Sequence, residues 1–322
     1  MSQRATSRLV DWGLLVACNL MWASQFVLAK LVQERMGPIF ATFLPMALAT
    51  LCLIPLVHRE QRRRGAGGGI GSADVVRFAL IGVFGQVVAQ LGITWGVRLA
   101  PASNAALLSL TLPIATALMA YLLLGERMTL VRWMSFALAV LGVLQCSGVD
   151  WSSLQFTSGG VLSGNFLIML GVFGSAFYNV YGKKLLRRFT PLEVLLFSYY
   201  AVLVCLAPLT LYLEPQSLRA LPTFGGQVWA GVLLLAVFQY FLSMVLFLRV
   251  LARLDAVQAG LSNYLIPVFG VVIAAAVLGE HLSVRNAIGG LVVLASTLLV
   301  TLYEEHYVPR ARSASARAAN GG

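Results

Sequence analysis

Residues 103–129 read SNAALLSLTLPIATALMAYLLLGERMT, and this stretch decides the fold. An apolar segment long enough to cross a bilayer carries Pro113 near its middle and closes in Gly125-Glu126. The chain then repeats itself. Residues 258–283 read QAGLSNYLIPVFGVVIAAAVLGEHLS, so Pro113, Leu124, Gly125, Glu126 and Thr129 fall on Pro267, Leu278, Gly279, Glu280 and Ser283, 154 positions on. Ala23, Val27, Lys30, Pro38, Cys52 and Pro55 likewise fall on Ala176, Val180, Lys183, Pro191, Cys205 and Pro208, 153 positions on. A register that slips by one residue over half the chain marks a duplicated unit.

Composition sets the class. Of 322 residues, 59% are hydrophobic and 11% charged, with a mean hydropathy of +0.84. A soluble domain carries about a quarter charged residues. The charges gather between long apolar blocks, each near the ~20 residues a helix needs to span a bilayer. The expected fold is therefore all-α, a polytopic membrane protein. The net charge of +11 belongs to the loops and does not point to nucleic acid. Ten spans are expected at 12–32, 38–57, 75–97, 103–124, 131–149, 163–183, 191–213, 227–249, 257–278 and 285–303. They form two five-helix repeats, 12–149 and 163–303, followed by a basic tail, 304–322, that reads as disordered.

Sorting the basic residues by loop places 18 on one side and 5 on the other, accounting for all 23. By the positive-inside rule both termini lie in the cytoplasm, and the expected location is the inner membrane. Leu15-Val16-Ala17-Cys18 resembles a lipoprotein cleavage box, but apolar sequence runs on to Val32, where a cleaved signal would turn polar. The four cysteines all fall inside expected spans and read as small packing residues. Five spans per repeat is an odd number, so the halves enter the membrane from opposite sides. That is the plan of inverted-repeat secondary transporters, with solute held near the midplane.

The run RLAPASNAALLSLTLPIATALMAYLLLGERMT (98–129), its echo ending LGEHLS, and MWASQFVLAK (21–30) resemble the EamA-type domain of the drug/metabolite transporter superfamily. The resemblance spans residues 12–303. It implies two five-helix domains, a basket-like bundle and export of small metabolites such as amino acids. The second half departs from the pattern near Leu254-Asp255-Ala256, where Pro101 has no counterpart.

Catalytic constellations are missing from the sequence. There is no Gly-x-Ser-x-Gly, His-Glu-x-x-His, Walker loop or paired-cysteine spacing, so neither a catalytic residue, a metal site nor a cofactor is expected. The loops are too short for an ATPase domain. The expected partners are a small-molecule solute and the lipid bilayer. A scaffold or sensor that reuses the fold without solute flux is the alternative reading.

Polar residues within the spans supply the candidate site. At about 100° per residue, Asn19, Trp22, Phe26 and Lys30 share one face of the first span. Gln86, Gln90 and Thr94 line the third, Asn104 and Thr111 the fourth, and Ser175, Tyr178 and Asn179 the sixth. Gln239 and Ser243 mark the eighth span, Gln258 and Ser262 the ninth. An amide facing lipid loses its water partners at a cost of several kcal/mol, so these groups should face inward. They then either line a solute cavity or hydrogen-bond between packed helices. The solute-binding candidates are Trp22, Phe26, Lys30, Gln86, Gln90, Ser175, Tyr178, Asn179, Gln239 and Ser243.

Four further residues carry gating or structural expectations. Pro113 and Pro267 should kink their helices, and Glu126 and Glu280 should face the positive start of the next helix, with Thr129 or Ser283 as its N-cap. Protonation of these acids during gating is the competing role. Lys30 and Lys183 should snorkel to headgroups, or else Lys30 meets a solute carboxylate. Gly92 and Gly96 should permit a close helix contact.

Overall fold

The computed structural model describes residues 3–64, 70–99, 108, 111–126, 128–146, 159–266, 268–269, 272–273 and 284–306. Among these residues the regular elements are all helices, with no strand. The helices are α1 (Gln3–Gln33), α2 (Pro38–Arg64), α3 (Ser72–Leu80), α4 (Val88–Leu99), α5 (Leu112–Leu124), α6 (Leu130–Cys146), α7 (Gly159–Leu185), α8 (Pro191–Leu213), α9 (Pro215–Arg219), α10 (Gly226–Leu234), α11 (Ser243–Leu251), α12 (Ala256–Ser262) and α13 (Val284–His306). A π-helical segment, Ile81–Val87, joins α3 to α4 as one rod, and a second, Leu235–Leu242, joins α10 to α11. Pro38–Arg64, Ser72–Gly96, Val161–Leu185, Pro191–Leu213 and Gly226–Leu251 are long and apolar enough to cross a membrane. Shorter apolar helices run over Leu9–Ser24, Leu112–Leu124 and Leu130–Gly142.

The side chains on the rim show which solvent the fold was built for. Leu122, Val204 and Tyr212 are 68%, 74% and 85% exposed, and continuous apolar faces of this kind are untenable in water. Inside, Phe40, Tyr199, Phe247 and Tyr264 are fully buried. Because lipid is as apolar as leucine, close van der Waals fit holds such helices together. Gly92 and Gly96 show how. A Cβ at Gly92 would stand 2.7 Å from the Leu167 carbonyl and 2.8 Å from the Gly171 nitrogen, so α4 and α7 touch backbone to backbone.

Helix ends are tied across the chain. The Glu214 carboxylate follows α8 and accepts from the Ile39 and Phe40 amides at 3.0 and 2.9 Å, capping the start of α2. Any side chain at Gly37 would occupy the space of that carboxylate. At the other end of the same pair, Thr190 caps the start of α8 and donates to Glu60, while Gln61 donates to Glu193. Gln61 and Glu214 lie 153 positions apart, the register of the sequence repeat.

Several boundaries differ from the sequence reading. The first helix starts at Gln3 rather than 12, which brings Asp11 inside it, buried and paired with Arg253 at 2.9 Å. The fourth span was expected as one helix over 103–124 kinked at Pro113; instead α5 begins at Leu112 with Pro113 in its first turn. The ring of Pro113 offers no N–H to the carbonyl four residues back, so the proline suits a helix start better than a helix middle. The ninth span was expected to run unbroken over 257–278, but α12 ends at Ser262 and a turn follows at 263–264. Asn104, Pro267 and Glu280 lie outside the described residues, as do the side chains of Phe26 and Lys30.

Candidate functional site

The polar side chains expected inside the bundle converge where α1, α7, α8, α12 and the two π-helical segments pack. A π-helical turn shifts the backbone bonds from four residues to five and widens the helix, a feature frequent at functional sites. Here each such segment carries a buried glutamine, Gln86 in the first and Gln239 in the second. Tyr178 lies against Gly85, which leaves room for its ring. Its hydroxyl faces Ser198 and Gln86 without a hydrogen bond of good geometry. The Tyr199 hydroxyl donates to the Tyr240 carbonyl at 2.6 Å, and the Tyr240 hydroxyl reaches Gln90 Oε1 at 3.5 Å. On the α1 side, Asn19 Nδ2 donates to Leu15 O at 2.7 Å and to Ser262 Oγ at 3.1 Å, and Cys18 Sγ donates to Ser243 O at 3.4 Å. Trp22 stacks obliquely on Phe247, with ring centres 5.1 Å apart.

The cluster is under-satisfied. Asn19 Oδ1, Tyr178 OH and Gln239 Oε1 are buried and have no hydrogen-bond partner among the described residues. An isolated buried acceptor costs about 1–3 kcal/mol, so three at one helix junction mark a place where a polar guest gains more than a packed core would offer. Of the candidates, Gln86, Tyr178, Asn179, Gln239 and Ser243 are buried here and Trp22 and Gln90 half-buried. Ser175 donates to the Gly171 carbonyl of its own helix. Ser243 does the same to Gln239 O. Gln258 is a helix cap: its Oε1 accepts from the Asp255 amide at 3.2 Å.

A second constellation of charges joins the α5–α6 turn to the start of α12. Gly125 ends α5 in the left-handed region, φ 71°, which turns the chain so that Glu126 projects across the bundle. Its two oxygens accept from the Ala256 and Val257 amides at 3.1 and 3.2 Å. The helix start that Glu126 meets is therefore that of α12, not that of the adjacent α6, which Thr129 serves by accepting from the Arg132 amide at 3.3 Å. Lys183, at the end of α7, lies 3.5 Å from Glu126 and 3.7 Å from Asp255 and also donates to the Leu254 carbonyl. Arg132, itself buried, holds Asp255 at 2.9 Å. Lys183 thus turns inward to carboxylates rather than outward to headgroups.

Residues 12–147 and 162–302 each match the EamA-like transporter family. The chain belongs to that family. Its relatives are transporters, not enzymes. This EamA-like chain is 26% identical over 293 residues to a probable terminal-alkyne amino-acid exporter of Streptantibioticus cattleyicolor, covering 90% of this chain and 92% of that one. It is 24% identical over 292 residues to an uncharacterized transporter of Archaeoglobus fulgidus, covering 90% and 98%. A solved crystal structure superposes with a TM-score of 0.75 at 18% identity, over 91% of this chain and 98% of that one, and shares the fold. A multi-pass membrane protein with a small-molecule solute follows from family membership and from the apolar helices.

Sequence reasoning missed Tyr199, Tyr240 and Ser198 in this EamA-like bundle: the search followed stripes around in-span amides, and none was drawn through Ser198 and Tyr199 on α8 or extended from Gln239 to the adjacent Tyr240. Asp255 was visible only as a departure from the repeat.

Proposed function

We propose that the protein is a secondary transporter exporting a small, partly apolar metabolite of the amino-acid type. It works by alternating access between two inverted halves, residues 12–149 and 163–303, each of five spans. It resides in the inner membrane with both termini cytoplasmic. The observation that carries this reading is the buried junction with unpartnered Asn19 Oδ1, Tyr178 OH and Gln239 Oε1. Two amide oxygens and a hydroxyl can take donors, which a protonated amine supplies in threes, while the tilted rings of Trp22 and Phe247 offer an apolar surface.

The packing supports two halves related by inversion. α2 packs on α8 and α6 on α13, each helix against its repeat mate, and α5 packs on α12, which belongs to the opposite half. The rod α3–α4 packs on α7 as the rod α10–α11 packs on α1. Mates that share one seam can rock about it while the polar junction stays fixed. The name of the Streptantibioticus relative points to the same solute class.

The test is uptake of a radiolabelled amino-acid panel into everted membrane vesicles, where export reads as uptake. At least one member should accumulate with the wild-type protein and fall about tenfold or more with Gln239→Ala or Tyr178→Phe, at equal protein abundance, since each removes about one hydrogen bond to a charged group. No flux of any member from folded protein would favour the scaffold reading. Full flux in both variants would move the site elsewhere.

A further inference from the structure

We propose that the arginine-bearing end of α2 is a binding site for the headgroup of an anionic phospholipid. The helix has 27 residues and is about 40 Å long, against a hydrocarbon core of about 30 Å. Starting at Pro38, it leaves the apolar layer near Val57, so its last two turns stand at headgroup level. Along its outward face the residue types change at that depth. Leu51, Cys52, Pro55 and Leu56 are exposed and apolar; His58, Arg59, Arg62 and Arg63, on the same face at spacings of three and four, are exposed and basic. An open cleft of about 520 Å³ is lined by Pro55, His58, Arg59, Arg62 and Arg63.

The acids nearby are spoken for on the other face. Glu60 pairs with Arg64 at 3.4 Å and accepts from Thr190, and Glu193 caps α8 and accepts from Gln61. Arg59, Arg62 and Arg63 make no ion pair among the described residues. The stretch that follows, residues 65–69, is GAGGG and brings no acid by sequence. Three guanidinium forks around one cleft match a phosphodiester, since each offers paired donors to two oxygens. The exposed apolar turn directly before them matches the first carbons of an acyl chain. A free phosphate would use the arginines and leave that turn idle; a lipid uses both. The site does not depend on which solute is carried, because it lies on the outward face of α2, away from the Gln86 and Gln239 junction.

Full-length protein in detergent micelles is titrated with phosphatidylglycerol, phosphatidylcholine or inorganic phosphate, and binding is followed by native mass spectrometry and thermal shift. Phosphatidylglycerol should bind in preference to phosphatidylcholine and raise the melting temperature. Arg59→Gln, Arg62→Gln and Arg63→Gln should each weaken that preference about fivefold, and Arg219→Gln, at the end of α9, should leave it intact. Arg62→Gln carries the test should either of the other two variants fail to fold. Equal binding of the two lipids by the wild type, or an undiminished preference in Arg62→Gln, overturns the proposal. A matching shift with inorganic phosphate alone overturns it too, in favour of a free-anion site.

Discussion

Glu126→Gln is the most informative single change, because the structure gives the carboxylate three separate contacts. Both oxygens take an amide of α12, at 3.1 and 3.2 Å, and Lys183 lies 3.5 Å away. Glutamine has one carbonyl oxygen and no charge, so it keeps at most one amide bond and loses the ion pair. A hydrogen bond to a charged acceptor contributes about 1.5–3 kcal/mol net, and Lys183 keeps Asp255 and the Leu254 carbonyl but loses its nearer carboxylate. A loss of about 2–3 kcal/mol corresponds to roughly 30- to 150-fold in the balance between joined and parted halves at this end. The native Cys18 reports that balance: it is fully buried beside Ser243 and sits seven residues past Asp11, about 10 Å along α1. With Cys52, Cys146 and Cys205 replaced by serine, alkylation of Cys18 by an impermeant maleimide in inside-out vesicles should accelerate in Glu126→Gln by that factor. It should not accelerate in right-side-out vesicles. An unchanged rate at normal abundance would refute the idea that Glu126 holds the halves together, and equal acceleration from both sides would show general loosening instead.

Three further outcomes can be checked. Gly92→Ala should lower the melting temperature in detergent, at a cost of about 1–3 kcal/mol, because its Cβ meets the backbone of α7 at 2.7 Å; an unchanged melting point would mean that α4 and α7 separate freely. Glu214→Ala removes both acceptors from the start of α2 and should destabilise by about 1–3 kcal/mol, with Glu214→Gln recovering part in the same melt. Cysteines at Ser153 and Gln216 should react with an impermeant reagent in intact cells while one at Gly67 does not; labelling at 67 would reverse the proposed orientation.

Five membrane-length helices were legible because each is a long apolar block with few charges, and the burial of Gln86, Asn179 and Gln239 was legible because an amide in hydrocarbon must face inward. Gly92 and Gly96 were legible for a similar reason, their spacing putting both on one helix face. What stayed hidden depends on partners far apart in the chain. Nothing local says that Glu126 caps a helix 130 residues on, or that Asp255 collects both Arg132 and Lys183. The π-helical segments were also invisible, since their apolar residues keep much the same composition as an α-helix and only the hydrogen-bond register changes. Pro113 misled for the opposite reason: a local rule gave a kink, and the proline found a helix start.

The cross-chain caps bear on how the protein is made. The amide of Ile39 waits for a carboxylate 175 residues further along, and at about 5–20 residues per second of synthesis the wait is roughly 10–35 s. During that interval the start of α2 has to borrow water or headgroup oxygens. The first repeat is therefore an unfinished object while the second is being threaded, and the ribosome's output becomes one protein only when the loop after α8 arrives to close it.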